Sequence, residues 1–338
     1  MKALLIGGTG IISEAISKLL IEQGHELYLL NRGRNKIPPG AKSLIADIND
    51  QAAVAGVLAD QSFDVVADFI AYTKDQVERD YTLFAKNTNQ YMFISSASAY
   101  EKPPKSPYIT EKTPLINPFW QYSRDKAACE DYLMERYNAD GFPVTIIRPS
   151  HTYSHRSLPV ALHGSNGSWQ VLKRIQQGKP VLIHGDGTSL WTFTHSRDFA
   201  KAFVGLMDNP ATIGEAVQIM SDESITWNQA YKALADALDT ELTALHVPSS
   251  LLVYAGQQHG YDDFEGTLIG DKSNSVIFDT TKLKSLVPGF KADIAYAQGI
   301  KESVAYHLAH PELQCDDPQF DAFCDHVAKA MQAAKEAL

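Results

Sequence analysis

Residues 2–13 read Lys2-Ala3-Leu4-Leu5-Ile6-Gly7-Gly8-Thr9-Gly10-Ile11-Ile12-Ser13, an apolar run that breaks at glycines and restarts as a second apolar-rich segment. Lys2 to Ile6 has the length of a short buried strand, and Ile11 to Gln23 carries apolar residues at helical spacing. Glycine permits a tight turn between the two and lets a ligand approach the backbone. The unpaired N–H groups of a helix start attract a pyrophosphate. Strand, glycine-rich turn and helix in this order predict a dinucleotide-binding unit.

The same alternation continues outward. Strand signals at Glu26–Leu30, Lys42–Ala46, Asp64–Phe69, Gln90–Ile94 and Pro143–Ile147 are separated by helical patterns at Gln51–Ala59, Lys74–Lys86 and Trp120–Asn138. Repeated strand–helix units predict an α/β fold, a Rossmann-type doubly wound parallel sheet over residues 1–150. Past Arg148-Pro149 the pattern loosens, and His151–Gly167 reads as a polar loop over the sheet's working edge. Short strands at Val181–Ile183 and Val217–Ile219 alternate with helices at Ser196–Met207 and Trp227–Leu238. Helices at Ile294–Leu308 and Pro318–Ala334 follow. In the last, Phe320, Phe323, Val327 and Met331 recur at helical spacing, so one face packs on the body. Residues 151–338 are expected to form a smaller, mixed α/β C-terminal substrate region, with the chain crossing back to the sheet near 181–219.

Composition narrows the partners. The 338 residues carry a net charge of −10, which repels polyphosphate backbones and argues against nucleic acid. Cys129, Cys315 and Cys324 match no metal-ligand spacing, and their odd number suits a reducing compartment. The loop histidines His151, His155 and His163 lack matched partners at metal-ligand spacing, so no metal is expected. No apolar stretch has the length of a membrane span, and Gly7-Gly8-Thr9-Gly10 interrupts what could pass for a leader. The expectation is a cytoplasmic protein with a small-molecule substrate.

Two constellations carry chemistry. The second strand ends in Asn31-Arg32-Gly33-Arg34, where a carboxylate commonly holds the adenine ribose; guanidinium groups there favour a 2′-phosphate and hence NADP(H) over NAD(H). Solvated loop charges are the plain alternative. Gln90–Ile94 runs into Ser95-Ser96-Ala97-Ser98-Ala99-Tyr100, and Tyr122-Ser123-Arg124-Asp125-Lys126 opens the long helix. Tyrosine and lysine four apart share a helical face. An ammonium beside a phenol lowers its pKa, so the phenol can take or give the proton of a hydroxyl whose carbon exchanges a hydride.

On these motifs the chain resembles the extended short-chain dehydrogenase/reductase superfamily, in its NAD-dependent epimerase/dehydratase group, over about residues 1 to 300. Further marks are Phe69-Ile70-Ala71, Arg148-Pro149-Ser150-His151-Thr152-Tyr153 and His184-Gly185-Asp186-Gly187-Thr188. The resemblance implies Ser96, Tyr122 and Lys126 as the catalytic set, with Tyr122 the acid/base. It implies cofactor contacts from Gly7, Thr9, Gly10, Ile11, Ile12, Asp47, Ile48, Phe69, Ile70, Ala71, Pro149 and Ser150, beside Asn31, Arg32, Arg34, Tyr122 and Lys126. It also implies a homodimer through the helices at Lys74–Lys86 and Trp120–Asn138. Substrate contacts are expected from Ser96, Ser98, His151, Tyr153 and Trp191.

Departures limit the substrate. Ser13 stands at the third glycine of the phosphate turn, and Ala97-Ser98 replaces the acidic pair of dehydratases. Leu190-Trp191-Thr192 lacks the arginine that grips a sugar nucleotide's diphosphate. An NAD(P)-dependent epimerase or reductase acting on a sugar or sugar-like substrate is therefore expected. A non-catalytic NADP(H) sensor or interaction protein is the alternative. The Asn31-Arg32-Gly33 turn also resembles a chloroplast branch implicated in RNA binding, against which the acidic charge and the intact serine, tyrosine and lysine argue.

Overall fold

The computed structural model describes residues 1–34 and 36–338. Its centre is a seven-stranded parallel sheet. The first half runs β1 (Lys2–Ile6), α1 (Ile11–Glu22), β2 (Glu26–Asn31), β3 (Lys42–Ile45), α2 (Gln51–Leu58), β4 (Val65–Asp68), α3 (Lys74–Phe84), β5 (Tyr91–Ile94) and α4 (Gln121–Asp140). Across the sheet the order is Glu215–Ile219, Val144–Pro149, β5, β4, β1, β2, β3. The chain winds one way from β1 to β3 and the other way from β4 onward, so the order reverses between β1 and β4. Ligand crevices of such sheets open there, beyond the carboxyl ends of the strands.

The apolar runs that predict strands are continuous because both faces of the sheet are covered. Ala3 and Leu5 pack with Ile16 and Leu20 of α1 and with Phe199 and Phe203 of the helix Ser196–Leu206. Leu4 and Ile6 point the other way, onto Val54, Val77, Phe84, Cys129 and Leu133 from α2, α3 and α4. A third core around Trp227, Tyr231, Tyr296 and Phe320 fills the C-terminal part.

Past residue 150 the chain returns to the main sheet once, as the edge strand Glu215–Ile219 beside Val144–Pro149. Val181–His184, expected near the sheet, instead pairs with Ala244–Val247 in a separate two-stranded ladder. The loop reading of His151–Gly167 needs correction at its start. His151–Tyr153 is a strand, parallel to Phe193–His195. Helices Trp169–Gln176 and Ser249–Gln258 and a π-helix, Glu265–Lys272, add to the expected elements. Among the described residues no helix is long and apolar enough to cross a membrane.

Candidate functional site

The glycine turn lies at the carboxyl end of β1. Gly7 has a φ of +85°, and a Cβ there would sit 2.5 Å from Ile70 Cγ2, so only glycine fits. Ser13, fully buried, donates its hydroxyl to the Gly7 carbonyl oxygen and accepts the Gly10 N–H. Ile11 and Ile12 open α1, whose first-turn N–H groups have no intrahelical acceptor. A cavity of about 470 Å³ extends from this turn across the ends of β2 and β3. Gly7, Thr9, Asn31, Arg32, Arg34, Asp47, Ile48 and Ile70 of the expected cofactor residues line it. Asn31 accepts the Gly33 N–H at 2.7 Å and so holds the turn that carries the exposed Arg32 and Arg34.

A second cavity, about 250 Å³, lies at the carboxyl end of β5. Ser96, Ser98, Tyr122, Pro149, Ser150, His151 and Trp191 line it together. Ser96 is fixed by Ser98, whose N–H it accepts and whose hydroxyl lies 2.8 Å away. Burial pushes the Tyr122 phenol up to about 12, and the neighbouring Ser96 hydroxyl acts in the opposite direction. Lys126 sits one turn along α4, its ammonium 5.9 Å from the Tyr122 ring centre. That ammonium donates to the Ala71 and Ile94 carbonyl oxygens, each at 2.7 Å. Burial lowers its pKa to about 8.

Other expected site residues stand apart from both cavities. Phe69 packs on Phe203, with ring centres 5.6 Å apart, and Ala71 serves through its carbonyl. Gly10 caps α1, Ile11 reaches the large cavity described below, and Ile12 packs against the core of its sheet face. Tyr153 does not line the second cavity. It is buried, with its ring against His195 and Tyr296 and its hydroxyl tight against Gly299. Tyr153 shares a strand face with His151 but lies one pleat further along, in the third core.

Sequence reasoning passed over several of the lining residues. Gln76 and Arg79 of α3 line the first cavity. Arg79 donates Nε to Asp80 and Nη1 to Asn49, each at 2.8 Å, while its Nη2 is buried with no partner among the described residues. Trp120, Asp271 and Lys272 line the second cavity. Trp120 immediately precedes α4 and was within reach of the motif; Asp271 and Lys272 come from the π-helix, which no apolar period announces. His151 and Lys272 also line a third, larger cavity of about 730 Å³, bounded by Ile11, His163 and Phe264 among others. Burial lowers the His151 pKa to about 3, so the imidazole is neutral.

The model of the family described as "NAD dependent epimerase/dehydratase family" matches residues 3–219. The chain is 27% identical over 252 residues to a chloroplast stem-loop binding protein of 41 kDa from Arabidopsis thaliana, covering 70% of this chain and 63% of that one. It is 31% identical over 169 residues to a UDP-glucose 4-epimerase of Lactobacillus helveticus, covering 44% and 51%. It thus spans less than two thirds of the length of either. A UDP-N-acetyl-alpha-D-glucosaminuronate decarboxylase of Bacillus cytotoxicus is 23% identical over 333 residues, 90% of this chain and 97% of that one. Among solved structures, an epimerase of Methanothermobacter thermautotrophicus superposes with a TM-score of 0.72 at 14% identity, over 92% and 93% of the two chains.

Proposed function

The chain belongs to the NAD-dependent epimerase/dehydratase family, and from its site we propose that it moves a hydride to and from a hydroxyl- or carbonyl-bearing carbon of a sugar or sugar-like substrate. The observation that carries this reading is the 250 Å³ cavity shared by Ser96 and Tyr122, with Lys126 one helical turn away.

The first cavity suits a dinucleotide. Its floor is a turn where Gly7 leaves no room for a side chain, its helix start offers N–H groups with no intrahelical acceptor, and its rim carries Arg32 and Arg34. Gly7, Thr9 and the first turn of α1 would hold the pyrophosphate; Asp47, Ile48 and Ile70 would enclose the adenosine. We assign NADP(H) in preference to NAD(H), because two guanidinium groups and no ribose-binding carboxylate end β2. When bound, the cofactor supplies an acceptor or donor of hydride and a positive ring in its oxidised state.

Tyr122, held neutral by burial, donates its proton to a substrate carbonyl oxygen that Ser96 orients. In the reverse direction the phenolate takes that proton from a hydroxyl. Lys126 supplies a positive charge that stabilises the phenolate, and it keeps the loop after β4 and the end of β5 at fixed separation through its two carbonyl bonds. Trp191, at the cavity wall, offers a flat face for a sugar ring. A cytoplasmic homodimer paired through α3 and α4 belongs to the same reading. Against an RNA-binding role, which the likeness to the stem-loop binding protein suggests, stand the net charge of −10 and the retained serine, tyrosine and lysine.

The test is Tyr122→Phe. It should lower turnover on a substrate found by screening sugar nucleotides at least 100-fold, while dinucleotide affinity stays within about twofold. Wild-type turnover by this variant would remove the mechanism.

A further inference from the structure

β4 runs Val65, Val66, Ala67 into Asp68, and the aspartate is as fully buried as the valines before it. Burying a carboxylate is costly unless its oxygens are satisfied. Here they are. One oxygen accepts the N–H groups of Ile70 and Ala71, at 2.8 and 3.1 Å, and the other accepts the Tyr91 hydroxyl of β5 at 3.0 Å. Side chain and backbone thus close a tight turn at residues 70–72, directly beyond the carboxyl end of β4.

That turn reaches both parts of the candidate site. Ile70 lines the first cavity, and its Cγ2 fills the space that a side chain at Gly7 would take. The Ala71 carbonyl accepts from the Lys126 ammonium at 2.7 Å. The centre of the Tyr72 ring lies 4.6 Å from the same ammonium and 6.3 Å from the centre of the Tyr122 ring. A single carboxylate therefore sets the local backbone on which the lysine rests.

Charged and titratable groups face Asp68 from three elements. α3 brings Asp80 and Arg79, whose Nε donates to Asp80 at 2.8 Å. β5 brings Tyr91, whose hydroxyl is 3.5 Å from Asp80. α4 brings Lys126 and Cys129, both within reach of the Asp68 charge. Burial raises the Asp80 carboxyl well above the usual carboxylate range, the neighbouring Asp68 adds to the rise, and Arg79 acts against it. A neutral Asp80 leaves the negative charge of the pair on Asp68. That charge acts on Lys126: burial lowers the ammonium's pKa to about 8, and Cys129, Asp68 and Glu130 work in the opposite direction.

We propose that Asp68 is the positioning residue of the catalytic ammonium, its carboxylate setting the turn that holds Lys126 between the Ala71 carbonyl and the Tyr72 ring and that closes the first cavity with Ile70. This rests on the hydride-transfer reading only for calling Lys126 catalytic. The placement of the ammonium does not depend on it.

The experiment follows the Lys126 titration in the full chain by NMR of protein labelled at lysine 13Cε, the resonance being assigned with Lys126→Met. NAD+ and NADP+ affinities are measured beside it by calorimetry. Asp68→Asn keeps an acceptor oxygen for the turn and removes the charge. Its Lys126 midpoint should fall by about 0.5–1 pH unit, with dinucleotide affinity within about threefold of wild type. Asp68→Ala removes the acceptor as well. The turn then loosens, water reaches the ammonium, and relief of burial outweighs the lost charge. The midpoint should rise by about 1 pH unit or more towards the ordinary lysine value near 10.4, and dinucleotide affinity should drop about tenfold. A residue that merely stabilises the fold would leave both readouts unmoved in the folded variants. Midpoints unchanged in both, or shifted in the same direction in both, overturn the proposal. Should Asp68→Ala not fold, Asp68→Asn decides alone: a lower midpoint with binding kept supports it, and an unchanged or raised midpoint overturns it. Asp80→Asn, which copies a neutral Asp80, should leave the midpoint in place; a fall as large as that in Asp68→Asn would move the charge to Asp80 and overturn the assignment. Neither readout uses turnover, so a failure of the hydride chemistry in Tyr122→Phe and a failure of this positioning role give different results.

Discussion

Ser13 donates its hydroxyl to the Gly7 carbonyl oxygen at 2.7 Å and accepts the Gly10 N–H at 2.9 Å. A serine thereby closes the phosphate turn at a position where the resemblance calls for glycine. The sequence suggests that Ser13 is tolerated by looser packing of α1 on β1. The geometry differs: the side chain is fully buried and spends its hydrogen-bonding capacity inside the turn. Ser17 repeats the device one turn on, donating to the Gly8 carbonyl at 3.0 Å.

Ser13→Ala should therefore destabilise the fold, because the Gly10 N–H and the Gly7 carbonyl each lose a partly buried hydrogen bond. The expected cost is about 1–3 kcal/mol, with a fall in Tm of roughly 2 °C or more per kcal/mol. Ser13→Gly should be worse by up to about 1 kcal/mol through helix propensity. Calorimetric melting of both variants checks this, and an unchanged Tm in Ser13→Ala would show the turn to be self-sufficient.

What was legible follows physical range. Local periodicity located β1 to β5 and α1 to α4, because a sheet covered on both faces demands continuous apolar strands. The Tyr122–Lys126 pair was legible because four residues make one helical turn. Lys272 was not, since its place depends on a π-helix and on glycine contacts with Trp120 and Phe119, more than 140 residues away in sequence. Nor was Arg79, which resembles any solvated helix cation until its bonds to Asn49 and Asp80 place it at the first cavity. Tyr153 sits in a motif but ends in the core, because position along a strand decides which layer a side chain enters.

The buried Arg148–Glu130 pair bridges the strand Val144–Pro149 to α4, with contacts of 2.6 and 3.0 Å. It fixes the helix that carries Tyr122 and Lys126. Arg148→Met should cost about 3–5 kcal/mol, because the Glu130 carboxylate stays buried without its partner. Arg148→Met combined with Glu130→Leu should cost less than Arg148→Met alone. Urea midpoints of the single and double variants decide it, and a double variant less stable than the single would contradict the argument.

Arg32 and Arg34 project from the exposed turn at the end of β2. Exposed ion pairs give modest energies, on the order of 1 kcal/mol each. Arg32→Ala and Arg34→Ala should each weaken NADP(H) binding about three- to tenfold and leave NAD(H) within about twofold. Equal losses for the two dinucleotides, measured by titration, would refute the NADP(H) assignment.

Lys126 makes stability depend on pH in a definite direction. Burial lowers its folded pKa to about 8, whereas the unfolded side chain titrates near 10.4. Between these values the unfolded chain holds the proton that the folded chain has released, so stability rises as pH rises. That gain is complete above about pH 10 and lost as pH falls through 8, where both states carry the charge. At roughly 1.4 kcal/mol per pKa unit, the stability of wild type relative to Lys126→Met should climb by up to about 3 kcal/mol between pH 7.5 and 10. The same deprotonation withdraws the charge that stabilises the Tyr122 phenolate, so oxidation of an alcohol substrate by wild type should lose kcat above pH 8. Denaturant titrations of both proteins at matched pH give the difference directly; a flat or falling curve would mean that Lys126 keeps an ordinary pKa and that its two carbonyl partners offset the cost of burying its charge.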